Sequence, residues 1–283
     1  MTAKNSEFKT FLKRLSRNSS GMAGIAIFLI LVILAVLAPY ICRFPYDVID
    51  VPSRFQGPSL THPFGTDQLG RDIFSRILYG GRYSLSLGVL SVGLALVVSV
   101  VLGTITGYFG GALDSLIMRF LDIIQSIPSM LIAIILSAVL GTGFGPTIIA
   151  LAVPCISGYT RVLRAQVMQA SQNEYVEAAT SLSVSKYKIM FRHIPPNSWA
   201  PLIVSATMGV ATAVLSASAL SFVGLGIQSP LPEWGAMLAG ARDFMRDYPY
   251  MVIIPGCFIM ITVLGLNMFG DAVRDVLDPK LRD

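Results

Sequence analysis

The chain has 283 residues, of which 54% are hydrophobic and only 13% are charged, and its formal net charge is +5. A soluble domain usually carries roughly 25% charged residues, so an apolar surplus of this size predicts a protein that lies largely in lipid. The basic residues lie in short segments between apolar runs rather than in a patch interleaved with aromatic side chains, which excludes nucleic acid as a partner. The three cysteines share no metal-binding or redox spacing, so no metal site is predicted.

The N-terminal segment 1–19 is basic and precedes the first apolar run. A signal peptide has the same order, but no small-residue cleavage site follows this run. The run instead continues into Pro39, Tyr40 and Cys42. We therefore interpret 20–42 as a retained membrane anchor and 1–19 as a cytoplasmic segment.

Charge-free runs long enough to cross a bilayer as a helix, about 20 residues, predict six spans. These spans lie at about 20–42, 83–113, 119–140, 146–167, 199–223 and 248–270. The third and fourth share one long run, which the turn sequence 141–146 (GTGFGP) divides. Pro128, Pro154 and Pro255 lie within spans and predict kinks. The predicted fold class is an all-α membrane protein.

The segment 43–82 separates the first span from the predicted core 83–270, which holds the other five. It begins polar and then becomes amphipathic, so it is predicted as an external loop that lies partly along the outer membrane surface. Its apolar side would comprise Ile73, Phe74, Ile77 and Leu78. With the N-terminus in the cytoplasm, 14 Lys and Arg residues fall in cytoplasmic segments and 7 in external ones. Both termini, including the tail 271–283, are therefore predicted to be cytoplasmic.

The longest cytoplasmic stretch between spans, 169–197, has the sequence of a compact helical hairpin. Ser171 and Glu174 have the spacing of a capping box, which predicts a short helix at 175–182. Ser183 or Ser185 would cap a second helix at 186–193, and a Pro-Pro pair ends the unit. An apolar surface for a partner is predicted from Ile189, Met190 and Phe191.

This hairpin resembles the EAA loop of binding-protein-dependent ABC importer permeases. The resemblance rests on Glu177-Ala178-Ala179, a turn at Ser183 and the closing His193-Ile194-Pro195-Pro196, placed between the fourth and fifth spans. In that family the loop docks into a groove on the ATPase subunit. The resemblance implies that docking involves Glu177, Ala178, Ala179, Ser183, Ile189, Phe191, His193 and Pro196. The family usually has Gly where this chain has Ser183, and Leu where it has Pro195.

Three further segments are similar to the dipeptide/oligopeptide/nickel branch of that family. They are 62–76 (HPFGTDQLGRDIFSR), 222–237 with FVGLG and EWGAM, and 270–279 (GDAVRDVLDP). The chain looks like the second of the two permease subunits in such systems, which implies the type I importer permease fold. Either of the first two segments could touch a solute-binding protein or serve only to order the structure.

The resemblance implies a permease subunit in a bacterial or archaeal plasma membrane, working with two ATPase subunits, a second permease and an external solute-binding protein. No G-x-x-x-x-G-K-[ST] loop is present, so ATP and Mg would bind to the partners and this chain is not predicted to be an enzyme. Small peptides are the expected cargo, with nickel or another chelated metal as the alternative. Candidate pathway residues are Asp122, Gln125, Ser205 and Ser216.

Two other classes of protein fit the sequence less well. An intramembrane hydrolase needs a nucleophile and a base within the lipid, but the two histidines, His62 and His193, fall outside the spans. A channel or secondary transporter usually carries ionisable residues within its spans or an inverted repeat, and this sequence has almost no such residues and no convincing repeat.

Overall fold

The computed structural model describes residues 13–194 and 199–277, without the side chains of Arg192 and His193. In this part of the chain the regular elements are helices and turns, with no strand. The helices are α1 Ser19–Ile41, α2 Ile73–Phe109, α3 Gly111–Gln125, α4 Ser129–Leu140, α5 Phe144–Ser171, α6 Glu174–Ser181, α7 Lys186–Lys188, α8 Ala200–Phe222, α9 Trp234–Ala241 and α10 Tyr250–Leu277. A π turn, Ile189–His193, continues α7.

Five helices, α1, α2, α5, α8 and α10, are long and apolar enough to cross a membrane. The pair α3 and α4 makes a sixth crossing if it is counted as one broken span, because its halves are bent by 89°. The single kinked helix predicted for 119–140 is instead parts of two separate helices. Pro128 has no N–H to continue α3, and its ring disfavours helical geometry at Ile127, so the predicted kink is a full break.

Helix α2 is the centre of the bundle and packs along α5, and both run in the same direction. The approach is close because glycines on α2 lie against the α5 backbone. A Cβ on Gly103 would lie 2.9 Å from the Thr160 carbonyl oxygen, and one on Gly107 would lie 2.7 Å from that of Arg164. Small residues permit such contact between helices in lipid. Helix α1 packs on α2 and α10, and α8 packs on α2, α5 and α10.

The connecting segments gather at the two ends of this bundle. One end, here the cap end, carries 42–72 and 223–249, which contact each other. The other, the hairpin end, carries 172–194, between α5 and α8. Helices α2 and α5 begin at the cap end and finish at the hairpin end, so they connect the two.

Helix α2 begins ten residues before the predicted span, and the surface amphipathic segment predicted within 43–82 is wrong. Ile73, Ile77 and Leu78 are buried and belong to the core around Trp234. The helix begins here because the Asp72 carboxylate accepts bonds from the Ser75 N–H at 2.8 Å and the Ser75 hydroxyl at 2.7 Å. Arg76 and Arg82 limited the charge-free run, although the structure gives both of them backbone partners within the chain.

A second internal contact involves Arg82 on α2 and the end of α1. Pro39 lies inside α1 and has no N–H, so the Ala35 carbonyl lacks its helical donor. Arg82 Nε donates to that carbonyl at 2.7 Å, and its terminal nitrogen donates to Val36 at 2.9 Å. Arg82 therefore supplies across the helix pair the bond that Pro39 removes.

We expect Arg82→Met to loosen α1, lowering the unfolding free energy by roughly 1–3 kcal/mol, because it leaves the buried Ala35 carbonyl unpaired. Pro39→Ala restores an N–H four residues after Ala35, so Arg82→Met should cost far less in that background. Thermal unfolding of all four variants in lipid nanodiscs measures the difference. An equal loss of stability with Pro39 and with Pro39→Ala would show that Arg82 does not act by pairing with the Ala35 carbonyl.

Candidate coupling hairpin and translocation cavity

The hairpin at one end of the bundle comprises α6, α7 and the π turn after α7. Ser171 is the last residue of α5, and its hydroxyl donates back to the Met168 carbonyl at 2.8 Å. It therefore does not cap α6, whose N-cap is Asn173 without a side-chain bond. The predicted capping box is wrong because α5 extends four residues beyond its predicted end at 167 and incorporates the serine.

The turn after α6 is a Schellman motif, the left-handed ending that commonly uses glycine. Ser183 has φ of 55°, and its N–H donates to the Thr180 carbonyl at 2.9 Å. The N–H of Val184 donates to the Ala179 carbonyl at 3.1 Å, and both residues pack against the core beneath. Ser183 thus takes the conformation of the glycine that the family usually has, and Ala179 anchors the turn.

Ser183→Gly is expected to stabilise the hairpin by about 1 kcal/mol, because glycine relieves the steric cost of the left-handed conformation. Slower amide hydrogen exchange of Leu182 and Val184 would report this gain. Ser181→Gly, at the last residue of α6, is the matched control: its φ is not positive, so glycine there relieves no strain and should not slow exchange. Faster exchange in Ser183→Gly would contradict the role assigned to the turn.

The two faces of the hairpin differ sharply in exposure. Val176, Ile189 and Ile194 are buried in one core with Leu163 and Val167 of α5. Ile189 therefore holds the hairpin to its own chain and is removed from the predicted docking surface, and Met190 is buried too. The outward apolar residues are Leu182 (79% exposed), Tyr187 (76%), Phe191 (45%) and Tyr175 (37%).

Besides Phe191, four predicted docking residues lie on the outward side or at its edge. Glu177, Ala178 and Ser183 are exposed, and Ala179 is half-buried. Pro196 and the side chain of His193, predicted for the same surface, lie outside the described residues. Sequence reasoning missed Leu182 and Tyr187, because each is a single apolar residue between polar neighbours and matches no residue of the EAA pattern.

A cavity of about 570 Å³ lies where the α3–α4 bend faces α5 and α8. Gln125 and Ser205 line this cavity, as do Tyr159, Gly209 and Thr212, which the sequence did not single out. Of the other pathway candidates, Asp122 pairs with Arg161 outside the cavity and Ser216 does not line it. The lining side chains that the structure describes include no Asp, Glu, Lys, Arg or His.

Polar contacts fix the shape of the cavity wall. The Ser157 hydroxyl donates to Gln125 Oε1 at 3.0 Å, which holds the end of α3 against α5. A Cβ on Gly209 would collide with the Tyr159 hydroxyl, so glycine on α8 makes room for the tyrosine ring. The wall therefore presents amide and hydroxyl groups on an otherwise apolar surface.

The cap end contains a buried ionic network built from the 62–76 segment. Arg71 Nε donates to Asp67 Oδ2 at 2.7 Å, and Arg76 Nε lies 3.7 Å from the same oxygen. His62 Nδ1 lies 2.9 Å from Asp72 Oδ1. Asp67 also accepts backbone bonds from Leu69 and Arg71. These groups are all buried, so the segment orders the cap rather than presenting its charges outward.

The second motif, around 233–237, closes the other side of the cap. Glu233 is fully buried and caps α9, accepting N–H bonds from Gly235 at 2.9 Å and Ala236 at 2.8 Å. Burial raises the pKa of Glu233, while these backbone donors act in the opposite direction. The Trp234 indole N–H donates to the Ile77 carbonyl at 3.0 Å, joining the motif to α2.

Comparison with known proteins defines the class. A family model described as "Binding-protein-dependent transport system inner membrane component" matches residues 99–283. A second, described as "N-terminal TM domain of oligopeptide transport permease C", matches residues 6–58. The chain belongs to the family of binding-protein-dependent ABC importer permeases, in its dipeptide/oligopeptide branch, and is a multi-pass inner membrane protein. Its relatives are membrane permease subunits rather than enzymes.

Two relatives illustrate the similarity. The dipeptide transport system permease protein DppC of Alkalihalophilus pseudofirmus is 43% identical over 277 residues, covering 98% of this chain and 91% of the relative. The glutathione transport system permease protein GsiD of Pectobacterium atrosepticum is 41% identical over 241 residues, covering 84% and 80%.

The fold is that of type I importer permeases. A chain of the MetNI methionine ABC transporter in an inward-facing conformation superposes with a TM-score of 0.54 and 18% identity, covering 71% of this chain and 96% of that one. At this identity the likeness concerns the fold alone. It confirms the fold class predicted from the spans.

Proposed function

We propose that this chain is the permease subunit through which a binding-protein-dependent importer moves short peptides. The observation that carries the proposal is the match along 98% of the chain to a permease named for dipeptides. Other relatives are named for di/tripeptides and glutathione, which are also short peptides. This agreement favours peptide over nickel or another chelated metal as the cargo.

The chemistry of the cavity supports a peptide cargo. Its volume of about 570 Å³ lies within the range of roughly 300–1,000 Å³ that suits small ligands. Gln125, Tyr159 and Ser205 offer donors and acceptors for a peptide bond, and the lining residues carry no charge that would trap a terminal ammonium or carboxylate. A pathway must bind its cargo weakly enough to release it.

The remaining partners follow from the same proposal. The hairpin, with Glu177, Ala178, Leu182, Tyr187 and Phe191 outward, would dock on an ATPase subunit in the cytoplasm. This places both termini inside and the cap end outside, where a solute-binding protein would meet it. A second permease would complete the pathway, and a second ATPase subunit would bind to that permease. ATP and Mg would bind to the ATPases, whose closure would shift the membrane helices between two states.

Purification and reconstitution test the proposal. The chain, with a tag on its N-terminus, would be extracted gently from native membranes, and its co-purifying proteins identified by mass spectrometry. The assembly would then be placed in liposomes with the binding protein and a labelled dipeptide. We expect ATPases and a second permease to co-purify, and uptake to require ATP and the binding protein. A lone chain that conducts without ATP would instead indicate a channel or secondary transporter.

A further inference from the structure

Helix α3 is attached to α5 by a row of polar contacts along one face. Asp114 accepts two bonds from Arg164, at 2.6 Å from Nε and 2.5 Å from the terminal nitrogen. Asp122 pairs with Arg161 two turns further along. Such two-bond Arg–carboxylate pairs are strong and fix the orientation of both side chains. The relative position of α3 and α5 is therefore set by ionic geometry as well as by apolar packing.

The contacts show that α3 crosses α5 obliquely. Two contacts join the helices, Asp114 with Arg164 and Gln125 with Ser157. The two residues on α3 lie about 16 Å apart along their helix, whereas the two on α5 lie only about 10 Å apart along theirs. The opposite face of α3 is apolar and exposed, at Leu113, Leu116, Phe120 and Ile123. Among the described residues, the charged contacts of α3 lie on its α5 side.

Helix α5 links these contacts to the hairpin. Arg164 lies seven residues before the end of α5, and α6 begins three residues after that end. Between them, Val167 and Ala170 pack in one core with Val176 and Ile189 of the hairpin. A displacement of the hairpin therefore displaces the last two turns of α5, including Arg164.

The far end of α3 belongs to the cavity. Ile124 and Gln125 at the end of α3, and Ile127 and Pro128 at the break before α4, all line it. Neither Asp114 nor Arg164 lines the cavity or is exposed on the hairpin surface. Any motion passed from α5 to α3 changes the cavity wall at the α3–α4 bend.

We propose that the Asp114–Arg164 pair, assisted by Asp122–Arg161, transmits displacement of the hairpin to the cavity wall. Asp114 and Arg164 are positioning residues, because they act through α3 and do not touch the cargo. The inference rests on the proposed function, in which the hairpin moves with the ATPases. It assigns to these two pairs the step between ATPase closure and opening of the pathway.

The test uses the complete importer in liposomes and the variant Asp114→Asn, which keeps the size of the side chain and removes its charge. Peptide uptake and ATP hydrolysis are measured in the same vesicles. We expect peptide uptake to fall at least tenfold while basal ATP hydrolysis stays within twofold of the unmodified importer, so fewer peptides move per ATP.

A rescue and a control variant accompany this test. The charge swap Asp114→Arg with Arg164→Asp should recover part of the peptide uptake. Arg119→Gln removes an exposed charge on the same helix that belongs to neither pair, so it is the control and should change neither rate.

A second readout does not depend on the cargo. Spin labels at Leu116→Cys on α3 and Val139→Cys on α4, both exposed positions, report the α3–α4 angle. Trapping the ATPases with ATP and vanadate should change the label distance in the otherwise unmodified importer, and much less with Asp114→Asn. The proposal is overturned if the label distance changes equally with and without Asp114→Asn, or if it changes in neither importer. Absence of peptide uptake alongside the expected label distances would overturn only the peptide cargo.

Discussion

Leu182→Asp is expected to weaken binding of the ATPase subunit at least about twentyfold and to stop coupled uptake, because central apolar contacts at interfaces are worth roughly 2 kcal/mol or more. Leu182 is 79% exposed at the turn of the hairpin, beside the Schellman motif that fixes its position. An aspartate there would be desolvated on docking without a partner. The fold itself should be little affected, since most of the Leu182 surface is exposed.

Co-purification of the ATPase with tagged Leu182→Asp measures the loss directly. Leu60→Asp is the matched control, because Leu60 is also an exposed leucine but lies at the cap end. Ile189→Asp separates docking from folding: it places a charge in the buried core and should reduce the amount of folded protein in the membrane. Undiminished ATPase recovery with Leu182→Asp would remove this residue from the docking surface.

Asp67→Ala is expected to destabilise the cap end by about 3–5 kcal/mol, because it leaves buried cations without their carboxylate. Asp67 pairs with Arg71 and Arg76 and also accepts two backbone bonds. Arg76 is 3% exposed, so little water reaches this guanidinium. Removal of the carboxylate would expose both arginines to an environment that cannot solvate them.

Thermal unfolding in nanodiscs, with protease sensitivity of the 43–72 segment, checks this prediction. Asp243→Ala removes a carboxylate from an exposed pair with Arg242 and should leave the unfolding temperature nearly unchanged. If Asp67→Ala unfolds at the same temperature as Asp243→Ala, the buried network does not hold the cap.

The spans could be predicted from apolar runs only where no paired charge lies within a helix. Helix α8 contains no Asp, Glu, Lys or Arg, and its bounds differ from the predicted 199–223 by one residue at each end. Helix α2 was cut short because Arg76 and Arg82 ended the run, and only the fold shows that both have partners. The α3–α4 break was signalled by Pro128, but its angle depends on α5, which no local pattern describes.

The candidate site, like the spans, could be predicted only in part from the sequence. The EAA spacing located the hairpin, yet it could not indicate which apolar residues face outward. Three residues of α7 and one π turn are too short for a helical period to assign faces, and the π turn changes the register. Gln125 and Ser205 were selected as polar residues near helix ends or within spans, and so were Asp122 and Ser216. The packing of α3 on α5 separates Gln125 from Asp122, and the position along α8 separates Ser205 from Ser216.

The bond from Arg82 to the Ala35 carbonyl also bears on how the chain is made. Its two ends lie 47 residues apart, so a ribosome delivers α1 to the bilayer well before Arg82 emerges. Until then the Ala35 carbonyl has no helical donor, and an unpaired backbone group in hydrocarbon costs several kcal/mol. The first helix therefore becomes a fully stable membrane segment only when the second arrives beside it. We therefore expect the two helices to insert as a single unit, with the first anchor completed by its neighbour.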